Sequence, residues 1–541
     1  MSDDEKKPEE TRPEAPSEEP VPEESRSEKP RRGGASVLRG VGLAVSAVVL
    51  LGAGAAAVVV AESVPPGDRA TVQVPAVNVP AGPVTQVCAG PAELTAGGGM
   101  SIDPELDPQD TEPTTLTKTY TLPRGVAGPA EATYAELDAE PAELSEAGEV
   151  RTLEVREPAS GGFLEAGPVD DLAALAGGAT VTRTNAGDLR GLAAAPCQAP
   201  TSTAWLVGGG TDLGQSAELV LTNTGDTPAS VTATMWTSLG RADAPQLSEI
   251  VIAPRSATSV LLEGVSAGDR ALALRIDASG GQIVARVQDQ QLDGLVSAGV
   301  DLVTRAAPPG LDVTVPGVVL EESDIEEKGS ALRLVNPGQE TATASVRLLG
   351  PDGPVDVPGA EEVVLDPGVV LDLTLAGIEP GAYAVEITSD RPVTGSVVLT
   401  RVGQAGEIDP DVPPVERAWT AAAEPSRAGL LHTSTFGDLV DSATVVLTNP
   451  GEQDVEVELV PVIAGGEIGD PVRVTVPAGS TVTRDAAELT DGGPAVRLTA
   501  DGGGLVASTV LTAAADDGEL ISVLPMTPDP HEQRTVRVDL R

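Results

Sequence analysis

The stretch Leu219-Val220-Leu221-Thr222-Asn223-Thr224-Gly225 decides how most of this chain is organised, because it occurs three times. It returns as Leu332-Arg333-Leu334-Val335-Asn336-Pro337-Gly338 and as Val445-Val446-Leu447-Thr448-Asn449-Pro450-Gly451, and the successive asparagines are 113 residues apart. Matched residues at a fixed period indicate repeated structural units. The sequence therefore predicts three tandem copies of one domain in the C-terminal part of the chain.

Within each copy, short segments of alternating apolar and polar residues are separated by turn residues. In the first copy the segments 218–222 and 230–236 flank the Asn223 turn, whose Asn and Gly are typical of positive φ and of local side-chain hydrogen bonds. Six or seven short strands in roughly 110 residues are typical of antiparallel immunoglobulin-like β-sandwiches, and helical periodicity is absent. The predicted fold is mainly β, and the predicted sandwich repeats span 201–308, 309–415 and 416–541.

The N-terminal residues differ sharply from the repeats. Residues 1–35 alternate Pro, Glu, Ser, Lys and Arg without an apolar face, a composition that predicts disorder. Val41 to Ala61 is a run of 21 uncharged residues, which is long enough to span a bilayer as a helix. Arginines at 31, 32 and 39 precede this run, so the positive-inside rule places the N-terminus in the cytoplasm. We predict a disordered cytoplasmic tail, a single transmembrane helix within 36–61 and an extracytoplasmic remainder, located at the cell membrane.

A cleaved signal peptide is the alternative interpretation of the same run. Val59-Val60-Ala61 has the small residues of a cleavage site. The apolar run is, however, longer than the roughly 7–15 residues that are usual in signal peptides, and the leader before it is long. The sequence therefore favours an anchor.

Residues 62–200 predict an irregular, membrane-proximal β domain, either distinct from the repeats or a degraded copy of them. Residues 70–77 and 115–122 alternate like strands, and Gly, Pro, Glu and Asp are frequent between them. Cys88 and Cys197 bracket most of this region and are the two cysteines of the chain. Because an extracytoplasmic compartment permits disulfides, we predict a bridge between them.

The charge balance excludes one class of partner. The formal charge is -48, from 82 acidic and 34 basic side chains. Such a surface repels phosphate backbones, so no nucleic-acid binding is expected, and it keeps the repeats soluble. Calcium binding by acidic loops is the alternative, but Asp289 to Gly294, the nearest approach to a calcium loop, lacks the ligand spacing. With two cysteines and two histidines, the usual zinc sites are nearly excluded, and we predict no metal and no cofactor.

The tryptophans stand out because aromatic residues are only 1% of the chain. Trp205 lies beside a run of three glycines, and it either fills a domain core next to Cys197 or offers its ring to a sugar. Trp236 ends a predicted strand and is expected at the surface. Trp205 and Trp236 are therefore the two candidate ligand contacts. Trp419 is placed in the linker before the third copy, where packing between domains is expected.

A catalytic cluster can be imagined around one of the two histidines. His432 and Ser434 are followed closely by Asp438 and Asp441, which are the residue types of a hydrolase. The corresponding segment of the first copy, residues 206–211, has no histidine, so we interpret His432 as a surface-loop residue. No Walker or His-Glu-x-x-His motif occurs. We therefore predict no enzymatic activity.

Several of these features together resemble a known family. They are the stretch Pro196-Cys197-Gln-Ala-Pro-Thr-Ser-Thr-Ala-Trp205-Leu-Val-Gly208-Gly209, the Leu-x-Asn-x-Gly turn and Val287-Gln-Asp-Gln. With the single apolar segment, they resemble the DUF5719 family, a group of actinobacterial membrane-anchored proteins of unknown function. The resemblance covers roughly residues 36–530, and its most specific part is the Cys-x-x-Pro…Trp-x-x-Gly-Gly stretch. It implies a place in the bacterial envelope and no particular activity.

Three functions remain open at this point. We expect a membrane-tethered extracytoplasmic β-sandwich array that binds or spaces components of the cell envelope without catalysis, with the membrane and an envelope glycan or membrane protein as partners. The first alternative is an accessory subunit of a membrane enzyme of envelope-glycan synthesis. The second is a carbohydrate hydrolase with paired carboxylates, which the scarcity of aromatic platforms disfavours.

Overall fold

The computed structural model describes residues 77–78, 81–94, 113–322, 328–406, 409–531 and 535–536. The predicted tail 1–35 and the predicted membrane helix at Val41 to Ala61 lie outside these residues. Among the residues that are described, no helix is long and apolar enough to cross a bilayer.

The described chain is mainly β, as predicted, and its antiparallel sheets fall into four pairs, which we call modules A to D. The short strand β1 (Val77–Asn78) precedes them. Module A holds β2 (Val84–Cys88), β3 (Thr114–Arg124), β4 (Ala127–Pro129), β5 (Ala132–Glu136), β6 (Ala142–Glu143), β7 (Ser145–Ala147), β8 (Val150–Arg156), β9 (Gly162–Ala166), β10 (Leu175–Thr184) and β11 (Gly191–Pro196).

Modules B to D contain the sequence repeats. Module B holds β12 (Thr203–Val207), β13 (Gln215–Asn223), β14 (Ala229–Thr237), β15 (Gly240–Arg241), β16 (Ile250–Ile252), β17 (Ala257–Leu261), β18 (Ala273–Ser279), β19 (Ile283–Asp293) and β20 (Val296–Val303), with short 3-10 helices at Pro245–Leu247 and Leu262–Gly264. Module C holds β21 (Gly310–Leu320), β22 (Ala331–Val335), β23 (Ala342–Gly350), β24 (Gly353–Asp356), β25 (Val363–Leu365), β26 (Val370–Thr374), β27 (Gly381–Val402) and β28 (Val415–Ala421). Module D holds β29 (Ala428–His432), β30 (Ser442–Asn449), β31 (Val455–Pro461), β32 (Val472–Val476), β33 (Ser480–Asp485), α1 (Ala486–Thr490), β34 (Ala495–Asp501), β35 (Val506–Ala515), β36 (Gly518–Pro525) and β37 (Thr527–Pro528). A last strand, β38 (Thr535–Val536), pairs with β1.

All four modules share one strand order. In module B one sheet runs β12-β18-β14 and the other runs β17-β13-β19-β20. The corresponding sheets are β21-β27-β23 and β26-β22-β27-β28 in module C, β29-β34-β31 and β33-β30-β35-β36 in module D, and β2-β9-β5 and β8-β3-β10-β11 in module A. Module C uses β27 in both sheets, because this strand is 22 residues long. Module A therefore follows the order of the repeats although it carries no copy of their sequence.

The alternating apolar residues account for the cores of the modules. In β13, Leu219 and Leu221 are fully buried, whereas Val220 between them is only half-buried. Successive side chains of a strand point to opposite faces, so one face of the sheet lines the core. Leu219 meets Leu274 of the facing sheet in one apolar cluster. Fully burying a leucine stabilises by about 1.5–3 kcal/mol, which favours this register over a one-residue slip.

The repeated asparagine ties together the two sheets of its module. Asn223 is 0% exposed, and its side-chain amide donates to the carbonyl oxygens of Thr227 (2.8 Å) and Ile252 (3.2 Å). Its amide oxygen accepts a hydrogen bond from the backbone N–H of Gly225 at 2.9 Å. Because Asn223 ends β13 and Ile252 lies in β16 of the other sheet, one side chain joins both sheets.

The same bonds recur in modules C and D. Asn336 donates to Glu340 and Leu365, and Asn449 donates to Gln453 and Val476. The prediction that these turns place Asn or Gly at positive φ is wrong. Positive φ occurs in the facing turn, at Arg255, Gly368 and Gly479. The asparagine instead acts through its side-chain amide, which supplies the partners that a tight backbone turn would have supplied.

The end of module C lies later than predicted. The sequence placed the boundary between residues 415 and 416. In the structure, β28 pairs with β27 of module C, with Val415 opposite Val402 and Ala421 opposite Ser396. Trp419 is therefore a residue of this strand and not of a linker. The sequence suggested a linker because the proline-rich residues 410–414 lie directly before this strand.

The final strands of the four modules meet one another. β11 contacts β20 and β36, and β28 contacts the same two strands. All residues of β11 and of β20 are buried. An outer strand of a sheet normally leaves an exposed edge, but here each such strand is covered by those of its neighbours. Module A thus contacts modules B and D, and module C contacts the same two, so the contacts between modules close a cycle.

Candidate functional site

Cys88 and Cys197 form a disulfide that joins the two sheets of module A. Cys88 ends β2 in one sheet, and Cys197 directly follows β11 in the other. Their Cα atoms are 4.0 Å apart, and the two residues are 0% and 1% exposed. The bond lies inside the core of module A, where solvent does not reach it.

Trp205 and Trp236 stack on each other between modules B and C. Their ring centroids are 5.2 Å apart at an interplanar angle of 23°, and the residues are 7% and 6% exposed. Both belong to an apolar cluster that includes Val315 and Leu399 of module C. Trp236 was expected at the surface and is buried, because module C covers its face of β14. Trp205 lies at this seam and not beside Cys197, because in β12 its neighbour Leu206 takes the core side. A sugar would have to displace one tryptophan in order to stack on the other.

Trp419 is held by charged groups at the seam between modules B and C. Its indole N–H donates to Asp289 Oδ2 at 2.8 Å. The guanidinium groups of Arg333 and Arg417 lie 5.0 and 5.7 Å from its ring centroid. Asp289, from the acidic loop considered for calcium, is thus a buried partner of tryptophan and arginine.

Asp301 accepts hydrogen bonds from all three other modules. Its Oδ2 receives the backbone N–H of Trp419 in module C at 2.6 Å. Its Oδ1 receives the backbone N–H of Ala194 in module A at 3.4 Å and the hydroxyl of Ser522 in module D at 3.1 Å. Burial raises the pKa of Asp301 to about 8, although these donors oppose the shift. The carboxyl group therefore joins the four final strands where they meet.

Glu416 is a second buried carboxyl at the same meeting point. Its Oε1 accepts the backbone N–H of Leu192 at 2.7 Å, and its Oε2 lies 3.7 Å from Nη1 of Arg190. Burial raises the pKa of Glu416 well above its usual range, and Asp301 raises it further, whereas Arg190 opposes the shift. Arg190 also pairs with Asp517 of module D at 2.6 Å. Polar side chains of modules A, C and D are thereby joined.

His432 is buried, and the interpretation as a surface-loop residue is wrong. It is 1% exposed and lies in β29, which faces module A. One ring nitrogen, Nδ1, is 2.5 Å from the hydroxyl of Tyr120, and Nε2 is 2.9 Å from the hydroxyl of Thr527. Burial lowers the pKa of His432 to about 4, so the ring is neutral near pH 7.

The imagined hydrolase cluster is not assembled. Ser434 accepts a hydrogen bond from Lys118 Nζ at 3.0 Å, and Asp441 accepts the backbone N–H of Ala514 at 2.6 Å. Across the described ranges, no hydrogen bond joins His432 to Ser434, Asp438 or Asp441. Both ring nitrogens of His432 are instead occupied: Nδ1 contacts Tyr120 of module A, and Nε2 contacts Thr527 within module D.

An open polar cleft lies on module B. It has a volume of about 400 Å³ and is bounded by β14, by β15 and by the loop that follows them. The exposed residues Arg241 and Asp243 line it together with Thr232 and Thr234. These groups can donate to and accept from a polar ligand. Within the part of the chain that is described, no three His, Cys, Asp or Glu side chains are grouped as metal ligands.

The buried carboxyls of the meeting point were missed by the sequence analysis. Asp301 lies in Val296-Ser-Ala-Gly-Val-Asp-Leu-Val303, an otherwise uncharged strand. A lone acid in such a run is a usable signal, because a strand buried on both sides tolerates a charge only where donors meet it.

The family model that describes DUF5719, a family of unknown function, matches residues 152–487. No curated protein is significantly similar to this chain. One similar solved structure is the crystal structure of Thermotoga maritima 1070, with 18% sequence identity over 21% of this chain and 93% of that one. The TM-score of 0.16 is too low to support a conclusion about fold or function.

Proposed function

Because this chain belongs to the DUF5719 family, a family of unknown function, we propose a role from its own geometry. The protein is a membrane-tethered, extracytoplasmic body of immunoglobulin-like β-sandwich modules that binds a component of the cell envelope without catalysing a reaction. The tether rests on the 21-residue uncharged run of the sequence, and the compartment rests on the buried disulfide, since disulfides persist in oxidising surroundings.

One observation carries the binding role: the polar cleft of module B stays open, whereas the buried ionisable groups connect modules. Asp301, Glu416 and His432 hydrogen-bond to neighbouring modules. Arg241 and Asp243, in contrast, line an exposed cleft with room for a polar ligand of disaccharide size. A cleft of a few hundred Å³ with convergent polar groups is the usual form of a small-ligand site.

The cycle of contacts favours binding over a spacer role. A spacer gains reach when its modules are strung end to end, and it needs no contact between the first and the last. Here Arg124 of module A pairs with Asp529, which follows module D, at 2.6 Å. The modules are thus fixed to one another, which is suited to presenting one binding surface of constant geometry.

The test is a pull-down of the full chain from membranes after mild cross-linking. Arg241→Ala/Asp243→Ala removes the charged groups of the cleft. The matched control Arg391→Ala/Glu340→Ala removes an exposed ion pair from module C, whose side chains are 53% and 69% exposed. We expect wild type and control to recover an envelope glycan or protein and the cleft variant to lose it.

Equal recovery by the cleft variant would show that the partner binds elsewhere. A single integral-membrane enzyme in near-stoichiometric amount would favour the accessory-subunit alternative. Cleavage of envelope glycans by the purified chain would overturn the non-catalytic role.

A further inference from the structure

A second cleft lies between modules A and D, and it is lined in part by Arg497. Its volume is about 160 Å³, and it is lined by Leu122, Pro123, Gly125, Glu149, Val460, Ile468 and Arg497. Nε of Arg497 is buried and has no hydrogen-bond partner among the described residues. Arg497 as a whole is only half-buried, so its terminal nitrogens, and not Nε, are the donors left for a ligand in the cleft.

The backbone holds Arg497 at this seam. Arg497 is a residue of β34, and its Cα is paired with those of Leu430 and Val460 on the two neighbouring strands. Val496 and Leu498 point into the core of module D, so the side chain of Arg497 leaves on the side that faces module A. Leu430 belongs to the apolar cluster that fills this seam together with Leu122.

Contacts from both modules fix the walls of the cleft. The backbone N–H of Glu149 donates to the carbonyl of Gly466 at 2.8 Å, and the N–H of Ile468 donates to Glu149 Oε2 at 2.9 Å. Beside the cleft, the guanidinium of Arg124 donates two hydrogen bonds to Asp529 at 2.6 and 2.7 Å. The cleft is thus preformed by the closure of module A on module D.

The chemistry of the lining selects the kind of ligand. Nε is enclosed, and no hydrogen bond joins the two terminal NH2 groups of Arg497 to other described residues. Side by side, these two groups match the two oxygens of a carboxylate. A phosphate brings more oxygens, and the walls at Leu122, Val460 and Ile468 offer them no donors. These same walls can cover a short apolar group.

We propose that the cleft between modules A and D binds a carboxylate that carries a short apolar group, with Arg497 as its anchor. This site is separate from the cleft of module B, and its test is independent of that one. Glu149 faces the same cleft, and its charge opposes the anion. One of its oxygens accepts from Ile468, and no ion pair joins it to Arg497 in the described chain. Glu149 therefore limits the affinity without occupying the arginine.

The test measures isobutyrate binding to the full chain in lipid nanodiscs by saturation-transfer NMR, with empty nanodiscs as background. We expect a Kd on the order of 1–10 mM and weaker binding of inorganic phosphate. Arg497→Gln should weaken isobutyrate binding about tenfold or more. Arg497→Lys should give an intermediate loss, because lysine keeps the positive charge but lacks the two side-by-side donor groups of a guanidinium. Glu149→Gln keeps an acceptor for Ile468 and should tighten binding several-fold.

The matched control is Arg473→Gln. Arg473 lies in the same sheet as Arg497, but its side chain is 80% exposed, and its replacement should leave binding unchanged. Thermal unfolding of each variant checks that the fold is kept. The proposal is overturned if neither wild type nor Glu149→Gln binds isobutyrate up to about 50 mM. Unchanged binding by Arg497→Gln, or a preference for phosphate, would also overturn it.

Discussion

Module A and modules B to D share one strand order, but different side-chain bonds connect their two sheets. We call such a connecting bond a tie. In modules B to D a buried asparagine at the end of a strand connects the two sheets through hydrogen bonds. In module A the disulfide between Cys88 and Cys197 connects them. Module A also contains Thr184-Asn185-Ala186-Gly187, which resembles the repeated turn, but Asn185 is exposed and accepts from Arg183. The repeated sequence therefore identifies modules whose sheets are joined by an asparagine, but the strand order itself does not require that sequence.

Removing the disulfide of module A has the largest expected effect. Cys88→Ser/Cys197→Ser should lower the free energy of unfolding of module A by about 4–5 kcal/mol, because the bond spans 109 residues of chain and restricts the unfolded state. Hydrogen exchange followed by mass spectrometry reads this module separately. Wild type that is reduced while unfolded in denaturant, and then refolded with the reductant present, should match the variant, and the same treatment should leave the variant unchanged. Equal protection of module A in both proteins would mean that the disulfide is dispensable.

Removing one asparagine tests the corresponding tie in the repeats. Asn223→Ala should cost about 2–4 kcal/mol of unfolding free energy, because it leaves buried carbonyl oxygens and one N–H without partners. Asn336→Ala and Asn449→Ala should cost similar amounts. The matched control is Asn185→Ala, which should change stability by less than about 0.5 kcal/mol. Denaturant unfolding of the four variants decides, and similar losses at Asn185 and Asn223 would contradict the distinction.

The contacts between modules include a carboxyl group that titrates, that of Asp301, whereas the disulfide and the asparagine amides within modules do not. Burial raises the pKa of Asp301 from 3.8 to about 8, so the folded protein holds a proton that the unfolded chain releases between these values. This contribution to stability is complete below about pH 4 and is lost as the pH rises towards 8, by up to about 1.4 kcal/mol per pH unit. Asp301→Asn removes the contribution.

Denaturant unfolding between about pH 6 and pH 8 measures this effect as the difference between wild type and Asp301→Asn. We expect the difference to change steadily over the interval. Reduction of the disulfide and Asn223→Ala should lower stability by an amount that does not depend on pH. A constant difference between wild type and Asp301→Asn would show that Asp301 does not titrate in this range.

The sequence predicted most of what depends on local patterns. In module B the predicted strands 218–222 and 230–236 lie within the observed Gln215–Asn223 and Ala229–Thr237. Alternating apolar residues and turn residues act over a few positions, so they can be read directly. The sequence did not reveal the strand order of module A, because the alternating buried residues of β3 include threonines where the repeats have leucines. Thr115 and Thr117 are buried and hydrogen-bond Thr182 and Thr180, each at 2.9 Å.

The sequence could not predict the contacts between modules. Trp236 and His432 were both expected at the surface, and both are buried by a different module. Their local sequence is compatible with exposure, because the residues that cover them are far away in the chain. Tyr120, the partner of His432, is 312 positions distant. The candidate clefts arise from the same distant contacts or from loop conformation, and neither leaves a periodic signal.

The closed cycle of modules has a consequence for how this chain folds. Tyr120 is separated by 312 positions from His432, and Arg124 by 405 positions from Asp529. Contacts between residues so distant in the chain form slowly, and domains made first fold first. During synthesis, module A must wait with an uncovered surface until module D emerges. The native contacts of module A are therefore complete only after module D has been synthesised. A chain truncated before module D would expose the apolar surface of module A that module D covers, which favours aggregation.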